Sequence, residues 1–146
     1  MDIQEGTLSP PKGYSAVGLS CGIYGDGTKD IALIASDRPA SAAGVFTTNI
    51  VKAAPVHLNR EHLADGKAQA ILVNSGNANA CTGEKGMANA RREADIVSKA
   101  LTLQPEDVLV NSTGVIGVQL PMDLLEAGIA RTLDGLGNGW DDTSEA

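Results

Sequence analysis

Two short stretches of this chain have the composition of a site that stabilises negative charge. The sharper is Asn111-Ser112-Thr113-Gly114. A threonine hydroxyl and the neighbouring glycine N–H, presented at a strand end, are two neutral donors in a small space. Glycine matters there because no Cβ blocks approach to its amide. Fixed donors aimed at an oxygen that becomes negative are the usual way to stabilise a tetrahedral acyl-transfer intermediate, at roughly 3 kcal/mol per donor. The same four residues also suit an ordinary strand-to-helix turn in which Thr113 serves the local backbone. From residue types alone the turn is the plainer reading. Asn111-Ser112-Thr113 matches an N-glycosylation acceptor as well, but with no secretory signal in view that match is accidental.

The second stretch is Asn74-Ser75-Gly76-Asn77-Ala78-Asn79-Ala80-Cys81-Thr82-Gly83. Three asparagines at alternate positions among small residues either hold a polar substrate through their amides or cap a helix and brace a turn. Both readings stand at this stage. Cys81 as a nucleophile needs a nearby base, and nothing in the sequence puts His57 or His62 beside it, so a buried structural cysteine is expected. The two histidines are five residues apart on a helix, about 140° of rotation, and share no face. Ordinary surface or boundary histidines are expected, and no joint metal site. Glu106-Asp107 and Asp141-Asp142 read as solvated turn residues.

What must position these residues is visible as a repeated phrase. Leu72-Val73-Asn74-Ser75-Gly76 is echoed by Leu109-Val110-Asn111-Ser112-Thr113-Gly114. Each copy is an apolar run that breaks into small polar residues, as a buried strand does on entering a loop built for close backbone approach. Between them, Met87, Ala90, Ala94, Val97 and Leu101 step by three and four. That spacing predicts an amphipathic helix over 83–101, capped at Thr82, with Arg91, Arg92 and Glu93 turned outward. Two parallel strands joined by one crossover helix end on the same sheet edge, so both loops are expected at one carboxyl-end crevice.

Upstream, residues 15–36 predict a β-hairpin about the Asp26-Gly27 turn. Gly22, Gly25 and Gly27 imitate a phosphate loop, but no helix follows them. A third strand is expected over 43–47, entered through Pro39 and Gly44, and a short helix over 58–64 with Pro55 upstream and Asp65-Gly66 as its stop. A last helix is expected over 121–133, with Met122, Leu125, Ile129 and Leu133 inward and Pro121 near its first turn. Residues 135–139 should end it, leaving 141–146 as a frayed acidic tail.

The totals narrow the partners. At 146 residues the chain is most simply a single α/β domain. Only 3% of residues are aromatic, so Ala, Val, Ile and Leu must build the core. The net charge of −7, with its eleven basic residues scattered, argues against nucleic acid as a partner. No apolar stretch is long enough to span a bilayer, the acidic start lacks signal-peptide regions, and the two cysteines fit no redox spacing. A reducing cytoplasm is the expected compartment.

The loop 73–83 and the segment Asn111-Ser112-Thr113-Gly114-Val115-Ile116-Gly117 with Leu120-Pro121-Met122 closely resemble the ornithine acetyltransferase family, the bifunctional glutamate N-acetyltransferases of arginine biosynthesis. Gly22-Ile23-Tyr24 through Ala35, and Gly44-Val45-Phe46-Thr47-Thr48-Asn49, are similar to that family's amino-terminal region. The resemblance implies the amino-terminal, α-chain portion of a self-processing fold. It also implies ping-pong transfer of acetyl from N-acetylornithine to glutamate through a threonine that self-cleavage leaves at the start of a β chain. Family oxyanion donors fall on Thr113 and Gly114. The implied assembly is an α/β hetero-oligomer with no cofactor of its own, acetyl-CoA being a second acetyl donor in bifunctional members. Beyond the region of Trp140 the family carries a Thr-rich substrate segment, a Lys-Gly-Ser-Gly segment and an Ala-Thr-Met-Leu cleavage site, and none occurs in these residues. The chain alone is therefore expected to be inactive. An alternative is a self-standing domain acting in folding, assembly or protein–protein contact. A related self-processing amidohydrolase is a third option, which the Asn-Ala-Asn-Ala-Cys-Thr-Gly loop disfavours.

Overall fold

A computed structural model describes residues 11–136. Four strands and three helices form two layers: β1 (Tyr14–Leu19), β2 (Ile31–Ser41), α1 (Ala54–His62), β3 (Lys67–Asn74), α2 (Gly83–Leu101), β4 (Val108–Ser112) and α3 (Met122–Leu136). The sheet runs in chain order, antiparallel from β1 to β2 to β3 and parallel from β3 to β4. The β3–α2–β4 crossover is the unit that the repeated phrase predicts. Its register pairs Asn74 with Ser112, so the two phrases end side by side.

All three helices cover one face. Ala68, Ala70 and Leu72 are buried at alternate positions along β3, and Ala70 and Leu72, with Val17, Leu33, Val108 and Val110, meet Ala90, Ala94, Val97, Leu125 and Ile129 from the helices. Small residues on α2 let it lie close to the sheet, which suits a core with so few aromatics. Arg91 reaches Glu61 on α1 and Arg92 reaches Glu126 on α3, both at 3.0 Å. These pairs are half-exposed and secure the flanks of α2 far less than its buried stripe does. The opposite sheet face carries Ile34, Ile71 and Val73, only partly covered.

Several expectations are corrected. Residues 43–47 form no strand. β2 itself continues through Pro39 to Ser41, across a register shift between Ala35 and Ala40, and Ser41 already faces Lys67, the first residue of β3. Residues beyond Ser41 therefore have no strand opposite them, and a proline that cannot donate sits where the ladder is interrupted. Helix α1 begins at Ala54, four residues earlier than expected, because Pro55 lies inside its first turn. It closes as expected, through the 3₁₀ turn Leu63–Asp65 and the left-handed Gly66. Helix α3 runs on through Gly135 to Leu136. Thr82 occupies the N-cap position of α2 but makes no side-chain cap. Glu93 faces inward and is 1% exposed, in the middle of the buried stripe. Asp141-Asp142 and the expected tail lie outside the described residues.

Candidate active site

The parallel ladder does not stop where β3 and β4 end. Thr113 N donates to Asn74 O (3.1 Å), Val115 N to Gly76 O (3.2 Å) and Gly117 N to Ala80 O (2.8 Å), while Ala78 N donates back to Val115 O (3.0 Å). Asn77 and Val115 form an isolated bridge. The two loops are thus zipped together through alternate residues of the second. By the period of two, the intervening amides of Gly114 and Ile116 turn away from the first loop. Neither has a partner among the described residues.

Gly114 is where the backbones come closest. Its φ is +133°, and a Cβ there would fall on the carbonyl carbon of Gly76 and 2.6 Å from Asn77 N. Only glycine fits, which is the close approach expected of this loop. Thr113 and Gly114 are both exposed, and the Thr113 hydroxyl has no partner among the described residues. Its amide, however, is already spent on Asn74 O. The available pair is therefore the Thr113 Oγ1 hydroxyl and the Gly114 N–H.

The three asparagines do not reach toward solvent. Asn74, Asn77 and Asn79 are 1%, 4% and 0% exposed. Asn74 Nδ2 donates to Asn77 O (2.9 Å), and Asn77 Nδ2 to the carbonyls of Val118 and Gln119 (both 3.1 Å). Asn77 Oδ1 accepts the Asn79 amide (2.9 Å), and Asn79 Nδ2 donates to Gly86 O (2.9 Å) on α2. Thr82 Oγ1 donates to Asn79 Oδ1 (2.7 Å), which is why it is not free to cap the helix. Of the two readings left open, bracing holds for these residues. Asn74 Oδ1 and the register-paired Ser112 Oγ are buried without a partner among the described residues.

A third loop joins the same edge. The Asp30 carboxylate accepts the amides of Cys21 (2.6 Å), Gly22 (3.1 Å), Ile23 (2.6 Å) and Tyr24 (3.3 Å). Burial pushes this carboxyl upward, and the bonds from Cys21, Tyr24 and Ile23 outweigh it, so it lies below the usual carboxylate range. Asp30 O also accepts Ser75 N (2.9 Å), and Tyr24 shares its hydroxyl with Ser75 Oγ (2.7 Å). Burial pushes the half-buried Cys21 thiol up to about 12, with Asp30 adding to the effect. It is no nucleophile at neutral pH.

The outer edge of β4 is held by residues that carry no local signal. Asn59 on α1 takes both groups of Val110, Nδ2 donating to O (2.9 Å) and Oδ1 accepting N (3.0 Å). His62 Nδ1 lies 2.7 Å from Val108 O, and since a carbonyl only accepts, that nitrogen carries the proton. His57 is exposed, as expected of a surface or boundary histidine, whereas His62 is buried, because its ring reaches the edge of β4. Cys81 is exposed, against expectation, because its left-handed backbone (φ 57°) turns it out at the start of α2. It lines a cavity of about 260 Å³ together with His57 and Lys52. Among the described residues no group of three or more His, Cys, Asp or Glu side chains is placed to hold a metal ion. Nor is any helix long and apolar enough to cross a membrane.

The ArgJ family model matches residues 15–146. The chain belongs to the ArgJ family. It is 55% identical over 129 residues to the arginine biosynthesis bifunctional protein ArgJ of Caldanaerobacter subterraneus, covering 88% of this chain and 32% of that protein. The corresponding protein of Symbiobacterium thermophilum is 49% identical over 149 residues, covering all of this chain and 37% of the relative. This ArgJ-family chain thus spans about a third of the length of the curated relatives it matches. Among solved structures, ornithine acetyltransferase of Mycobacterium tuberculosis, crystallised with ornithine, superposes with a TM-score of 0.91 at 40% identity, covering 99% of this chain and 78% of that one. ArgJ of Bacillus halodurans gives 0.82 at 38% identity, covering 95% and 75%. The mixed α/β architecture is therefore that of ArgJ structures.

Proposed function

We propose that this chain supplies the oxyanion hole of an acetyltransferase that moves acetyl from N-acetylornithine to glutamate. The observation that carries the reading is the free Gly114 N–H beside the free Thr113 hydroxyl, on a loop that the amides of Thr113, Val115 and Gly117 hold in place. The nucleophile is the N-terminal threonine of a β chain. Its hydroxyl oxygen attacks the acetyl carbonyl carbon, and the carbonyl oxygen becomes negative between Thr113 Oγ1 and Gly114 N. Collapse breaks the C–N bond, and the proton from the attacking hydroxyl leaves with the ornithine amine. The glutamate amine then attacks the acetyl-threonine ester through the same donors, regenerating the hydroxyl. Family membership supports small-molecule substrates; the proposal adds no resident cofactor, acetyl-CoA as a second acetyl donor and a cytoplasmic setting.

Donors that act on developing charge affect rate more than affinity. In the complete enzyme, Thr113→Ala should lower kcat by roughly a hundredfold while leaving KM for N-acetylornithine within a few-fold. Steady-state kinetics with both substrates decides it. A rise in KM at unchanged kcat would show that Thr113 binds substrate and stabilises no oxyanion.

A further inference from the structure

We infer that Asn77 is a positioning residue for acyl transfer, holding the Gly114 donor in place by tying down both sides of its loop. The inference rests on the oxyanion reading of Thr113 and Gly114. Backbone bonds zip residues 113, 115 and 117 to the first loop, but beyond Gly117 the chain turns toward α3 with no further ladder bond to that loop. There the Asn77 carboxamide takes over, its two Nδ2 protons meeting the carbonyls of Val118 and Gln119 at 3.1 Å each. The same residue stands opposite Val115 in the bridge, one residue from Gly114. Its backbone nitrogen lies 2.6 Å from where a Gly114 Cβ would be. Asn77 therefore grips the donor segment from beneath and from its far end.

The carboxamide is also fully committed in a way no other side chain reproduces. Oδ1 accepts the Asn79 amide at 2.9 Å, and the residue is 4% exposed. An aspartate of the same shape would set a carboxylate oxygen against two carbonyl oxygens in a buried place, and the loop would part from its support. A displacement of about 1 Å at a donor is enough to cost rate without abolishing binding.

The test is a double-mutant cycle in the complete enzyme with N-acetylornithine and glutamate. Asn77→Asp should lower kcat roughly tenfold to a hundredfold with KM within about threefold, and its loss should overlap that of Thr113→Ala rather than multiply with it. Wild-type kcat in Asn77→Asp, or losses that multiply, would overturn the inference while leaving the oxyanion reading intact. Full kcat in Thr113→Ala would instead remove both. In the unmutated enzyme, the Asn77 side-chain amide protons should exchange with solvent far more slowly than those of an exposed asparagine, as read by NMR. Exchange at the exposed rate would also overturn the inference, whether or not the variant folds.

Discussion

Glu93 sits where the helical period calls for an apolar residue, between Ala90 and Val97 on the face that α2 presents to the sheet. Its Oε2 is buried without a partner among the described residues, as is Nδ2 of Asn89 one turn earlier. Burial alone pushes its carboxyl from the ordinary value near 4.5 up to about 8. The folded protein therefore keeps the Glu93 proton over a range in which the unfolded chain has lost it. Below the unfolded value both states are neutral and the group adds no pH dependence. As pH rises toward 8, stability should fall by at most about 1.4 kcal/mol per pH unit from this group. Glu93→Leu removes the titration, so the gap between the variant and the parent should widen from pH 5 to pH 8. Denaturant midpoints measured across that range test it, and a gap that stays constant would mean Glu93 is ionised in the fold. The residue carrying the proposed chemistry is of another kind. On that proposal Thr113 and Gly114 would act through being exposed and unpaired, and they depend on neighbours that are neither.

Strand β4 shows how that dependence works at the scale of an element. It is a five-residue edge strand, and an unpaired edge leaves backbone groups without partners. Helix α1 resolves this with side chains. Asn59 pairs both groups of Val110 and His62 holds Val108 O, so the base of the strand is sealed while its continuation at Gly114 and Ile116 stays open. Asn59→Leu should cost about 2 to 4 kcal/mol, since two buried backbone groups lose their only partner. Thermal unfolding and faster exchange of the Val110 amide are the measurements, and an unchanged Val110 exchange rate would refute the seal. Helix α3 comes close to the β1–β2 end of the same sheet face through a small residue. A Cβ on Gly128 would fall on Cys21 Cβ, at the start of the loop that Asp30 organises. Each loop of the crevice is thus held by a different element.

At the scale of the whole molecule, the described residues place the Thr113 hydroxyl and the Gly114 amide at one sheet edge. On the proposed reading, the 146-residue chain should show no acetyl transfer alone, and activity should return when a companion polypeptide beginning with threonine is supplied. Radiolabelled acetyl transfer to glutamate measures both, and transfer by the isolated chain would overturn the division of labour. Much of this architecture was legible in advance. The β3–α2–β4 unit followed from a repeated phrase and a helical stripe, both local patterns that survive folding because they match the period of the element. The missing strand over 43–47 was not legible, because whether an extended segment becomes a strand depends on a free partner edge, and that is a property of the sheet. Glu93 was misread for a related reason. A charged residue in a helical window is expected outside, and only the packing of α2 against the sheet reveals that its position is central.

Residue order by itself determined the two parallel strands, their shared edge and the close approach at Gly114, since glycine, apolar runs and helical spacing act over a few neighbouring residues. Residue types alone left Thr113 and Gly114 as an ordinary turn, and the family resemblance singled them out as the proposed donor pair. Only the tertiary structure decided which groups of that pair are available, spending the Thr113 amide on Asn74 and leaving the Gly114 amide free. It likewise decided that the asparagines brace and that Asn59 and His62 seal β4. Those bonds join residues about fifty positions apart, such as Asn59 to Val110. A hydrogen bond depends on a distance of about 3 Å in space, and sequence separation does not encode that until the chain has folded.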